Sequence, residues 1–282
     1  MMSNLFSGLE AFGLGKLRNM DVYENGDEAN KKAQGAGGVK EVKTIQESEI
    51  IFDKTFVCPV CDKEFKAKTV KTGKVKLISA DTDLRPKYQY VDSLKYDAIV
   101  CPHCGFAALK RFFNYMTVRQ AKLIKENITA NFKGLSPEGE TLSYDEAIAR
   151  HKLALVSSII KQTKSSEKAY TCLKTAWVIR GKAESLSIEQ PKNETEIQAL
   201  EKAETEFLTK AYEGFMQSFS KESFPMCGMD EITITYLLAD LARRINKHDE
   251  ASRWISKVLI SRDANERIKE KAREIKEMLK IN

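Results

Sequence analysis

The sequence predicts an α+β protein, mostly α, with a small β module followed by an all-helical domain. Two observations carry this expectation. Cys58-Pro-Val-Cys61 and Cys101-Pro-His-Cys104 form two Cys-x-x-Cys pairs separated by 39 residues, with short alternating runs beside them. Beyond residue 112, apolar residues recur at helical spacing with few breakers. Three segments follow: 1–49, a largely disordered extension; 50–111, the β module; and 112–282, the helical domain.

The first segment is turn-rich. Glu24-Asn-Gly-Asp-Glu-Ala-Asn and Gly35-Ala-Gly-Gly have linker composition. Leu5, Phe6, Leu9, Phe12, Leu14 and Leu17 depart from it as an apolar cluster of rough helical spacing. This cluster could dock on the protein's own core or on a partner. It carries little positive charge for a membrane anchor.

In the second segment each Cys-x-x-Cys pair can place two thiolates on one ion. Together the pairs supply four sulfur ligands, the donor set of a tetrahedral structural Zn²⁺ site with Zn–S bonds of about 2.3 Å. The expected ligands are Cys58, Cys61, Cys101 and Cys104. His103 lies between two ligands, where its ring points outward, and is not counted. Four protein ligands leave no open position for substrate or water, so the site reads as structural and not catalytic. Lys54-Thr-Phe-Val, 63–71, 74–79 and Tyr96–Cys101 read as short strands around the two turns, which describes a zinc ribbon. Gly105 can supply the positive φ needed after a knuckle.

The third segment reads as helices with breaks near 134–139, 163–166, 181–193, 221–229, 246–248 and 261–265, and helical pattern begins already at Ala107. Tyr144-Asp-Glu-Ala-Ile with Ala154, and Ala169-Tyr-x-x-Leu173-x-x-Ala176-Trp177 with Gly181, look like single helices of a tetratricopeptide repeat. Tyr236-Leu-Leu-Ala-Asp-Leu, Asn246 to Ala251, Trp254 and Val258 look like one whole repeat. Insertions break the repeat period and the usual closing proline is absent, so an irregular helical bundle stays open as the alternative.

Composition bounds function only broadly. Hydrophobic residues make up 42% and charged residues 30%, as in a globular protein with its own core. No apolar run approaches the roughly 18 residues of a membrane span. Residues 1–16 lack a basic leader and an unbroken apolar core, so the expected location is cytoplasmic. Net charge is +6, of which residues 50–111 carry +5, residues 1–49 −2 and residues 112–282 +3. Lys63, Lys66, Lys68, Lys71, Lys74 and Lys76 concentrate that charge, which is compatible with phosphate contact and equally with a solvated strand face.

Asp81-Thr-Asp83-Leu-Arg85-Pro86-Lys-Tyr88-Gln-Tyr90, strung between the knuckles, is the one other stretch dense in polar chemistry. Two aspartates can hold a divalent cation, and an arginine can clamp a carboxylate or phosphate. They can equally satisfy each other within a structured loop. His151 and His248 have no evident acid or nucleophile partner. Cys172 reads as core, and Cys227 as a small apolar contact under a loop. No Walker loop, dinucleotide fingerprint, His-Glu-x-x-His or Gly-x-Ser-x-Gly occurs in the chain, so no catalytic or cofactor-binding residue is assigned.

Phe56-Val-Cys58-Pro-Val-Cys61, Asp81-x-Asp83-Leu-Arg85-Pro-x-Tyr88 and Tyr96-Asp-x-x-Val-Cys101-Pro-x-Cys104-Gly-Phe-Ala-Ala together resemble the bacterial domain of unknown function family 2225 over most of residues 50–260. The opening Gly8-Leu-Glu-Ala-Phe-Gly-Leu and Met20-Asp-Val-Tyr also resemble an extension seen in some members. The resemblance implies a zinc-ribbon-like part followed by a tetratricopeptide-like part, and no activity. It adds weight to Asp81, Asp83, Arg85 and Tyr88 as a functional loop. The leading expectation is a zinc-binding, non-enzymatic adaptor whose helical repeats bind a protein or peptide. The alternatives are nucleic-acid binding through the ribbon and an enzyme using the Asp81-Asp83-Arg85 loop.

Overall fold

The computed structural model describes residues 45–135, 139–189 and 193–281, and the apolar cluster from Leu5 to Leu17 lies outside them. Three two-stranded antiparallel hairpins precede a run of helices. Helix α1 (Glu47–Ile50) leads directly into β1 (Ile51–Val57), so ordered structure begins before position 50. Strand β1 pairs with β2 (Glu64–Val70), Ile51 opposite Val70 and Val57 opposite Glu64. Along β2 the alternation predicted from sequence is real: Phe65, Ala67 and Thr69 are buried while Glu64 and Lys66 face solvent. β3 (Leu77–Ala80) pairs with β4 (Pro86–Tyr88), and residues 81–85 form the turn between them. β5 (Ala98–Val100) pairs with β6 (Ala107–Leu109).

Strand β6 corrects the helical pattern expected from Ala107. Ala107-Ala-Leu has the composition of a helix, but ladder bonds to β5 and burial of all three residues decide its conformation. Tertiary pairing overrides intrinsic propensity here.

The helices are α2 (Val118–Asn127), α3 (Tyr144–Ile160), α4 (Ser165–Glu189), α5 (Glu194–Phe219), α6 (Glu231–Arg244), α7 (His248–Ile260) and α8 (Glu266–Ile281). Local sequence starts several of them. Thr117 with Gln120 caps α2, Ser143 with Glu146 caps α3, and the Asp230 carboxylate accepts from Thr233 N to open α6. Trp177, Tyr212, Phe215, Tyr236, Leu237 and Trp254 fill the main core, which spans α3 to α8 and takes in Ala147 and Ile148 of α3.

The break expected near 181–193 starts later than its first residue, because α4 continues through Gly181 to Glu189 and α5 begins at Glu194. A Cβ on Gly181 would lie 2.6 Å from Asp92 Oδ2 and 2.8 Å from Tyr144 Cε1. The glycine is therefore required for close approach of α4 to α3 and the loop before β5, and does not end the helix.

Candidate metal centre and the loop between its knuckles

Each cysteine pair sits at the turn of a hairpin. Between β1 and β2, Asp62 N donates to Cys58 O at 2.9 Å and Cys58 N donates to Lys63 O. Between β5 and β6 the same pattern repeats: Gly105 N donates to Cys101 O at 3.0 Å and Cys101 N to Phe106 O. The residue after each pair, Asp62 (φ +57°) and Gly105 (φ +74°), takes the left-handed conformation. Gly105 does so for a further reason, since a Cβ there would strike the Phe132 ring at 2.6 Å. The sequence pointed to Gly105 but gave no sign that Asp62 adopts the same geometry.

The two turns meet. The ligand atoms of Cys58, Cys61, Cys101 and Cys104 all lie within 4.8 Å of one another. Cys58 Sγ is 3.5 Å from Cys104 Sγ, and Cys61 Sγ is 3.7 Å from Cys101 Sγ. A tetrahedron of Zn–S bonds of about 2.3 Å has sulfur–sulfur edges of about 3.8 Å, so the spacing fits one ion held by four thiolates. It does not fit disulfides, whose sulfurs sit at about 2.05 Å.

Cys58, Cys101 and Cys104 are nearly fully buried, packed among Val60, Phe65, Phe106, Phe113 and Ile124. Four sulfurs at contact distance, three of them buried, cannot all ionise without a cation. Hydrogen bonds from Cys104 and Cys58 hold the Cys101 thiol well below its usual range, while the bond with Cys101 pushes Cys58 up to about 12. His103 lies outside this set, exposed, with Nε2 3.3 Å from Glu64 O.

The Asp81–Tyr88 stretch is engaged by the helices. Asp83 has no exposed surface and accepts from Trp177 Nε1 at 2.9 Å and from Arg180 at 2.5 and 3.0 Å. Arg180 also reaches Asp81 at 2.9 Å and Glu204 on α5 at 2.7 Å. Thr82 donates to Asp240 on α6 at 2.7 Å, accepts from Arg244, and its carbonyl accepts from Tyr236 OH at 2.6 Å. The turn between β3 and β4 is thus bolted to α4 and α6 by a buried ionic network.

Burial alone would raise the Asp83 carboxyl. The hydrogen bonds and charge of Arg180 outweigh it, with Arg244 and Trp177 adding, and hold that carboxyl below its usual range. Asp81 is lowered in the same way, burial opposing and Lys87 and Arg180 prevailing.

Sequence reasoning missed Trp177, Arg180, Asp240 and Arg244. A signal was present: Arg180 and Asp240 each sit as a lone charge inside an apolar helical run, a placement that requires a buried partner.

Arg85 differs from its neighbours. Its side chain is 4% exposed and ion-paired with Glu184 at 3.0 Å and with Asp81 and Asp92 at 3.5 Å. Tyr88 lies in β4, half-buried, beside it. The other candidates resolve simply. His151 is fully buried in α3 with Nδ1 2.8 Å from Ala147 O. Burial pushes the Cys172 and Cys227 thiols up to about 12, so both are poor nucleophiles. Of the lysine cluster, Lys68 is 3.7 Å from Asp53 and Lys71 donates to Glu49 O, while Lys63, Lys66, Lys74 and Lys76 are exposed.

No helix among the described residues is long and apolar enough to cross a membrane. No curated protein and no solved structure matches the chain. Residues 51–279, which include both knuckles, the bolted turn and helices α2 to α7, match the family of uncharacterized proteins conserved in bacteria called domain of unknown function 2225, and the chain belongs to that family.

Proposed function

We propose that this protein is a cytoplasmic, non-catalytic Zn²⁺-binding adaptor. The ion locks two ribbon-like hairpins together, and the helical part presents a surface to a protein or peptide partner. The observation that carries this reading is the cysteine cluster, whose four sulfurs lie close enough together to take all four positions of one tetrahedral ion. The aspartates that could have served chemistry support it, because Asp81 and Asp83 are engaged by Arg180 and Trp177.

Helices α6 and α7, of 14 and 13 residues joined by three, have the size of one tetratricopeptide unit. Ala239, Ala242 and Ala251 at their contact have no exposed surface, which suits closely paired repeat helices. Helices α4 and α5, of 25 and 26 residues, are longer than that unit.

The test is crosslinking of the full chain during isolation at native salt. The expected result is a protein partner at reproducible stoichiometry with crosslinks to α6–α8. Recovery without a protein partner, or crosslinks confined to the hairpins, contradicts the reading.

Nucleic-acid binding is the second reading, favoured by exposed Lys63, Lys66, Lys74 and Lys76. It predicts oligonucleotide affinity that falls steeply with salt and with Lys66→Glu. Absent or salt-independent binding removes it.

A further inference from the structure

Helix α2 presents two faces. Ile124 is buried in the core that the cysteines share. Val118, Ala121, Lys122 and Lys125, spaced i, i+3, i+4 and i+7, form another stripe and line a groove of about 440 Å³. The first knuckle supplies more of the lining: Pro59 and Val60, which stand between Cys58 and Cys61, and Asp62 after them. Met116 and Thr117, just before α2, complete it.

The lining is apolar and its charge is mostly positive. Val118 is 90% exposed. It is not a scattered surface residue, because Pro59, Met116 and Ala121 line the same groove. The chain has no Asp or Glu between Asp97 and Glu126, yet that interval holds Lys110, Arg111, Arg119, Lys122 and Lys125. Of the two groove lysines, Lys122 is 3.8 Å from Glu126, and Lys125 has no ion-pair partner among the described residues. Asp62 is the one acid in the lining. The groove therefore suits an occupant that is apolar at its centre and negative at its flanks.

We propose that this groove docks an acidic peptide segment of a partner protein. An apolar side chain of the segment packs on Pro59, Met116, Val118 and Ala121, and carboxylates beside it pair with Lys122 and Lys125. The volume falls in the range of about 300–1,000 Å³ typical of ligand sites. Met116, with three rotatable bonds, adapts to the shape of the entering side chain. No aromatic ring lines the groove, so nucleic-acid bases find no stacking surface there, which favours peptide over single-stranded nucleic acid. This surface lies on the first knuckle and α2, apart from the α6–α8 surface of the adaptor reading, and either can fail without the other.

The test is selection of random phage-displayed peptides on the full metal-loaded chain, followed by anisotropy titration of the enriched peptides. Enriched sequences should place Asp or Glu beside Leu, Met or Phe, and their affinity should fall with salt. Lys122→Glu combined with Lys125→Glu should weaken binding at least tenfold, and Val118→Ser at least threefold. All three side chains are exposed, so metal content and thermal unfolding should not change. Peptides with Lys in place of their acids should bind the native chain at least tenfold more weakly and recover on the Lys122→Glu, Lys125→Glu variant. Enrichment of no peptide, enrichment without acidic residues, binding indifferent to these substitutions, or a single-stranded oligonucleotide that binds more tightly with the same dependence on Lys122 and Lys125 would overturn the proposal.

Discussion

Asp83 and Arg180 are buried charges contributed by segments 97 residues apart, and each is tolerable only because the other is present. Removing one partner of such a pair costs about 3–5 kcal/mol, since the remaining charge stays in a medium that cannot solvate it. Asp83→Ala should therefore lower unfolding stability by that amount in denaturant titration. Trp177→Phe, which leaves one carboxylate oxygen short of a donor, should cost about 1–3 kcal/mol. The pH dependence follows from the same contacts. Asp83 is depressed in the folded state, so its stabilisation is complete above its unfolded value near 3.9 and is lost as pH falls through the lower, folded value. The stability gap between the native chain and Asp83→Asn should narrow as pH drops below about 4. Both proteins share the cysteine site, so its own acid sensitivity cancels in the difference. A gap that widens with acid would contradict the assignment.

Among the secondary-structure elements, Gly181 separates propensity from packing. Alanine would favour an exposed helix by about 1 kcal/mol. Within α4, however, the added methyl meets Asp92 and Tyr144 well inside contact distance. Gly181→Ala should be net destabilising by about 1–3 kcal/mol in thermal or denaturant unfolding, and a stabilised variant would refute the packing role.

The same residue explains where sequence and structure part. Helices α3, α6 and α7 were legible because their apolar periodicity is local. The β1–β2 hairpin was legible from the first knuckle and the alternating run after it, while of the β5–β6 hairpin only the approach to the second knuckle was. The extent of α4 was not, because a glycine looks alike whether it ends a helix or makes room for a neighbour. Ala107–Leu109 was misread because its conformation depends on pairing with Ala98–Val100, and three residues carry no period. The four cysteines that the fold brings within 4.8 Å of one another were legible in the sequence. The partners of Asp81 and Asp83 were not, since Arg180 and Asp240 come together only in the folded chain.

The described residues form one compact unit. The cysteine cluster brings the β1–β2 and β5–β6 turns together, and the bolted 81–85 turn joins the β3–β4 hairpin to α4 and α6. The cysteines share a core with Phe65, Phe106, Phe113 and Ile124, whereas α4 to α8, with Ala147 and Ile148 of α3, build a separate core around Trp177, Tyr212 and Tyr236. Chelation should therefore act unevenly. Hydrogen exchange should rise strongly across β1, β2, β5 and β6, and little across α6 to α8. Uniform loss of protection would instead mean that the ion supports the whole molecule directly. Cys58→Ser should reproduce the chelated pattern and abolish stoichiometric metal, because structural zinc contributes on the order of 10 kcal/mol of folding energy to small modules.

Whether the cysteine cluster holds one ion through four sulfurs is tested most directly by X-ray absorption at the metal edge of protein purified without added metal. One zinc per chain with four sulfur neighbours at about 2.3 Å and no lighter ligand is the predicted result. A nitrogen or oxygen neighbour, or protein that is folded and metal-free as isolated, would contradict it.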